Sequence, residues 1–152
     1  MRARLFFFYG TLTHEHDNLA SAAARRRMTH LAKGAVRGSL FVVMHHEGCY
    51  PVLDRRGRGW VQGWLYAAKR GFDRRMLARL DRYEEADRAW PEYRRQAVLV
   101  RVGGRRVLAE AYVHARTVHA GMKRVASGDF AAFARRGRAR VYGAGTAKQG
   151  MR

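Results

Sequence analysis

The chain has 152 residues, enough for one domain with a real hydrophobic core, and it carries 31 lysines and arginines against 12 acidic residues, a formal charge of +19. That balance holds polyanions weakly and concentrates acidic small molecules. It comes, however, in short clusters such as Arg25 to Arg27, Arg55-Arg56-Arg58 and Arg135-Arg136-Arg138-Arg140, with no finger, aromatic RNA-binding motif or helix-turn-helix spacing beside them, which argues for solvated surface charge over sequence-specific nucleic-acid recognition.

Cys49, the single cysteine, excludes an intrachain disulfide and fits a reducing compartment. Arg2 and Arg4 lead into LFFFY, a run of five apolar residues, short of the roughly 7 to 15 of a signal-peptide core. No run approaches the roughly 18 of a membrane span. The expectation is a soluble, unprocessed, cytoplasmic protein.

Along the chain, Leu5 to Tyr9 reads as a first strand, too apolar to be half exposed and therefore central. Asp17 or Asn18 caps a helix expected over Leu19 to Leu31 and ended by Gly34. Val36 to Met44 and Trp60 to Ala67 read as strands, separated by a polar loop with Gly48, Pro51, Gly57 and Gly59. Phe72 to about Glu85 is an amphipathic helix. Gln96 to Val102 and Val107 to His114 form a hairpin across Gly103-Gly104, because glycine tolerates the positive φ of tight hairpin turns. A short helix starts near Ser127 to Asp129 and includes Phe130 and Phe133. The domain is expected to span 1–143, with 144–152 a frayed tail. Mixed order with few helices indicates an α+β fold, its short strands closed or nearly closed into a small barrel to hide their edges.

The segment FDRRMLARLDRYEEAD holds five acids, and a wheel at about 100° per residue separates them. With Phe72 at zero, Tyr83, Met76, Leu80 and Leu77 fall at roughly 20°, 40°, 80° and 140°; Glu84 falls at roughly 120°, inside this apolar arc, and Glu85 at roughly 220°, outside it. A carboxylate aimed at a core is costly unless paired or used, because burial disfavours its charged form. Two uses fit: a proton shuttle, or an ion pair with an arginine at the helix end. At the end of the first strand, Gly10-Thr11-Leu12 offers a sharp turn whose N–H groups could hold an anion, or a turn with no ligand at all.

Taken in order, YGTL at 9–12, Tyr50-Pro51, VQGWLY at 61–66, LDRYE at 80–84, Tyr93-Arg94-Arg95, AYV at 111–113 and SGDF at 127–130 resemble the gamma-glutamyl cyclotransferase-like family. The resemblance implies a small β-barrel with flanking helices and a cofactor-independent enzyme. In its reaction the α-amino group of a γ-glutamyl unit attacks its own γ-carbonyl, leaving 5-oxoproline and a free amine. It further implies Glu84 as the general acid and base, the amides of Gly10, Thr11 and Leu12 on the substrate α-carboxylate, Tyr9 and Tyr50 at the pocket, and a hydroxyl contact from Tyr112. For Tyr9 and Tyr112, core packing is the competing reading. One departure stands out: the family usually has glycine after the glutamate, and here Glu85 follows.

His14-Glu15-His16-Asp17 and His45-His46-Glu47 lack the spacing of a helical zinc pair, so no metal site is expected. Cys49 lacks a paired base, and Trp60, Trp64 and Trp90 read as packing groups, with Trp90-Pro91 in a loop over the pocket. The competing functional reading is a non-catalytic polyanion- or nucleic-acid-binding protein on the same fold.

Overall fold

Leu5–Phe8 forms the first strand, β1, and both of its faces are covered. Phe7 joins one buried cluster with Val36, Val61, Val98 and Val100, while Phe6 and Phe8 join a second with Tyr66, Leu80 and Tyr83. A strand buried on two sides needs an apolar residue at every position, which accounts for the unbroken LFFF run. The computed structural model describes residues 3–14, 22–84, 86, 89–137 and 141.

The elements that follow are α1 (Ala22–Arg25), β2 (Met28–Arg37), β3 (Ser39–Val43), β4 (Tyr50–Asp54), β5 (Trp60–Ala68), α2 (Arg74–Tyr83), β6 (Tyr93–Val102), β7 (Arg105–His114), β8 (Lys123–Val125) and α3 (Phe130–Gly137). Five strands close into a barrel in the order β1-β5-β2-β6-β7, and β4-β3-β8 form a second sheet. The barrel is mixed. Its ladders are antiparallel except for the seam, where β1 meets β7 in parallel at Phe6 and Glu110. Closure removes the free edges that short strands would otherwise expose. The fold is therefore α+β, as the sequence indicates, with the first cluster inside the barrel and the second between its outer wall and α2.

Three elements differ from expectation. The helix over Leu19 to Leu31 is a single short turn, α1. Met28, Thr29 and His30 instead pair with Ala68, Ala67 and Tyr66 of β5, so ladder pairing overrides a helical pattern; the expected cap, Asp17 or Asn18, lies outside the described residues. The strand from Val36 to Met44 breaks at Gly38, whose φ of +156° and close approach to the Asp54 carbonyl (2.7 Å from a Cβ placed there) let the chain leave the barrel for the second sheet. The loop around Tyr50-Pro51 is a strand, β4. Because β4 lies at the sheet edge, Pro51 can sit in it without removing an internal ladder bond. The expected tail from 144 lies outside the described residues. Among the described residues, no helix is long and apolar enough to cross a membrane.

Candidate active site

Helix α2 begins with Asp73, whose side chain accepts from the Met76 N–H at 3.0 Å, the preferred way to satisfy a first-turn donor. It buries Leu80 and Tyr83 against the barrel wall. Glu84 follows as the C-cap, its N–H bonded to the Leu80 carbonyl at 2.9 Å, and is only 7% exposed. The helix thus brings its C-cap residue, Glu84, to the wall of a cavity.

The facing wall comes from the end of β1. The Gly10 carbonyl accepts from the Thr13 N–H at 3.2 Å and the Thr13 hydroxyl at 3.0 Å, closing a tight turn over residues 10–13. That turn rests on β4 so closely that a Cβ at position 10 would lie 2.4 Å from the Pro51 ring, a contact only glycine permits. Among the described residues, the amides of Gly10 and Leu12 have no backbone partner.

Between them lies a small cavity, partly open to solvent, with about 360 Å³ of empty space. Tyr9, Gly10, Thr11, Leu12, Tyr50, Glu84 and Tyr112, every residue singled out from the sequence, line it together. Phe7, Phe8, Pro51 and Tyr93 also line it, and Glu84 is the only acid among the described lining residues. Glu85 lies outside the described residues.

The tyrosines are bound to the framework by their hydroxyls. Tyr9 donates to the Tyr112 carbonyl at 2.6 Å and accepts from the Leu53 N–H at 3.2 Å, and Tyr93 donates to the Pro51 carbonyl at 2.6 Å. Burial, followed by nearby carboxylates, pushes the Tyr9 phenol well above its ordinary range. Burial also raises Tyr93 and Tyr112, in Tyr112 together with the hydrogen bond to Asp81. All three are therefore neutral donors near pH 7, and none can act as the cavity's base.

Asp81 is the residue that sequence reasoning missed. It accepts from the Tyr112 hydroxyl at 2.7 Å and from Arg95 Nε at 2.9 Å. Arg95 also bonds Glu110, which Arg4 holds from the other side at 2.5 and 2.7 Å. A chain of alternating charge thus runs from the barrel seam to the cavity wall. On the wheel Asp81 sits at roughly 180°, at the edge of the apolar arc, and its partner Arg95 is opposite Tyr112 in the β6–β7 register. That pairing, visible only after the hairpin is registered, is the signal that finds it.

The remaining candidates have other surroundings. His14 bonds the Tyr66 hydroxyl at 2.6 Å and stacks on His30 with ring centres 4.2 Å apart; residues 15–17 lie outside the described set. His45, His46 and Glu47 bring three potential ligand atoms within 4.8 Å of one another in a partly exposed turn. Cys49 is buried, and burial pushes its thiol up, which makes it unreactive. Trp90 does not pack. It is 80% exposed and lines a different cleft.

A sequence model of the family described as gamma-glutamyl cyclotransferase, AIG2-like, matches residues 6–132. No curated protein matches the chain. Among solved structures, an AIG2-like protein from Mus musculus is 24% identical with a TM-score of 0.58, the alignment covering 78% of this chain and 81% of that one. YkqA from Bacillus subtilis is 22% identical with a TM-score of 0.62, covering 90% of this chain but 43% of its own. A structure named gamma-glutamyl cyclotransferase is 15% identical with a TM-score of 0.54, covering 76% and 68%. At these identities the structural likenesses show a shared fold, whereas the match over 6–132 takes in most of the chain and shows kinship directly: the chain belongs to the AIG2-like gamma-glutamyl cyclotransferase family.

Proposed function

We propose that the cavity cyclises a γ-glutamyl amine, or a related small amide, to 5-oxoproline with release of the free amine. The observation that carries this reading is the meeting, in one small cavity, of the buried carboxylate of Glu84 at the end of α2 and the glycine turn after β1. The amides of residues 10–12 take the substrate α-carboxylate, which fixes the α-amine beside its own γ-carbon. Such positioning supplies much of the acceleration in an intramolecular attack. Glu84 takes a proton from the attacking nitrogen and delivers one to the departing amine. Five bonds make the ring, so the C–N bond to the leaving amine breaks as the new amide forms, and no redox partner enters the balance.

Tyr112 has a defined part. Its single hydroxyl proton goes to Asp81, so toward a substrate it can act only as an acceptor, suited to an N–H of the α-amine or the scissile amide. Tyr9 and Tyr93, with their hydroxyls engaged by backbone, shape the wall and contribute ring surface.

The test is a panel of γ-glutamyl amino acids, ε-linked lysine and glutathione, read by mass spectrometry for 5-oxoproline. Release is expected from at least one member, none from its N-acetylated counterpart, which lacks the nucleophile, and little from an α-linked isomer. The rate should rise with pH as the substrate ammonium gives up its proton. Silence across the panel from folded protein would favour the non-catalytic, polyanion-binding reading.

A further inference from the structure

On the other face of the β6–β7 ribbon lies a larger cleft, with about 990 Å³ of empty space open to solvent and no lining residue in common with the cavity of Glu84. Strand alternation separates the two. Tyr93 and Tyr112 look toward the first cavity, whereas their neighbours Arg94 and Val113, paired across the ladder, line the second.

The cleft gathers Arg55, Arg56, Arg94 and Arg116 around exposed Trp90, with Asp54 the only acid among its described lining residues. Arg56 engages Asp54 at 3.2 Å. Arg55 and Arg116 bond main-chain carbonyls, of Ala97 and of Trp90, which orient the guanidiniums without neutralising them. Arg94 has no ionic partner among the described residues. Among the described residues, three positive charges thus stand without an acidic partner beside an 80% exposed indole.

We propose that this cleft binds single-stranded nucleic acid as nucleotide units, with phosphates on Arg55, Arg94 and Arg116 and a base stacked on Trp90. Guanidinium groups match phosphate geometry in a bidentate way, and an exposed aromatic ring beside a basic groove is the arrangement by which single strands are held without sequence preference. An acidic peptide would use the charges but leave the indole in water; the two-part chemistry favours a ligand that is both anionic and planar.

The test uses the full chain and a fluorescein-labelled oligothymidylate of about 12 nucleotides, with unlabelled AMP and heparin as competitors. Binding should quench indole fluorescence and weaken steeply between about 50 and 200 mM salt. Arg55→Glu with Arg94→Glu should weaken it at least tenfold more than Arg105→Glu with Arg106→Glu, an equal charge change at the far end of the same ribbon, roughly 25 Å away. Trp90→Ala should abolish the quench and weaken the oligonucleotide several-fold while leaving heparin affinity unchanged. Both reversals are at exposed positions, and Trp90→Ala serves as the second arm should either pair unfold. Equal losses from the two reversals would overturn the proposal in favour of diffuse surface charge. So would a Trp90→Ala protein that binds the oligonucleotide as wild type does, and AMP binding as tightly as the strand would overturn the single-strand source.

Discussion

The Tyr9 hydroxyl serves two main-chain groups at once, the Tyr112 carbonyl on the barrel and the Leu53 amide on the second sheet. Tyr9→Phe leaves both without that partner at a buried position, a loss of about 1 to 3 kcal/mol, and is expected to lower the midpoint of chemical denaturation; an unchanged midpoint would show that water replaces the hydroxyl. Gly10 makes a sharper prediction. Adding a methyl 2.4 Å from the Pro51 ring forces the turn away from β4, and overpacking of that kind costs about 1 to 3 kcal/mol. Gly10→Ala should therefore lower both thermal stability and 5-oxoproline release, whereas a fully active, equally stable variant would show that the turn's contact with β4 is dispensable.

At the scale of elements, an ionic network joins α2 to the barrel seam alongside the apolar contacts of Leu80 and Tyr83. Asp81 on the helix, Arg95 on β6, Glu110 on β7 and Arg4 before β1 form one chain of contacts. Arg4's hydrogen bond first, with Arg95 adding to it against a desolvation penalty, holds the Glu110 carboxyl below its ordinary value of 4.5. A carboxyl lowered in the folded state contributes stability that is present above its unfolded pKa and lost as pH falls through the folded one. Urea midpoints should accordingly fall as pH drops below about 4.5, and Glu110→Gln should flatten that fall; parallel curves for both proteins would place the acid sensitivity elsewhere. The same network shows where sequence reading stops. Contacts written locally, such as the FFF strand, the Gly103-Gly104 hairpin and the burial of Glu84 on its helix face, are visible in spacing alone. Asp81 is not, because its partner comes from a strand 14 residues further on and needs the β6–β7 register. Likewise β4 reads as loop because Pro51 argues against a strand until its place at a sheet edge is known.

For the whole molecule, the barrel acts as a wall with different chemistry on its two sides. The outer face toward α2 holds a tyrosine-lined cavity in which Glu84 is the one acid among the described residues, while the face bearing Arg94 opens into an arginine-lined cleft. The closed sheet keeps these environments apart. The account rests most heavily on Glu84, the one acid among the described residues that line the first cavity. The measurement that tests it most directly is single-turnover formation of 5-oxoproline from the panel's best substrate by wild type, Glu84→Gln and Glu85→Gln, with circular dichroism to verify folding. Glu84→Gln should keep the fold and lose at least about 100-fold in rate, the lower bound for a positioned acid and base, with a smaller loss for Glu85→Gln. A Glu84→Gln protein that turns over at a rate comparable to wild type would contradict the mechanism.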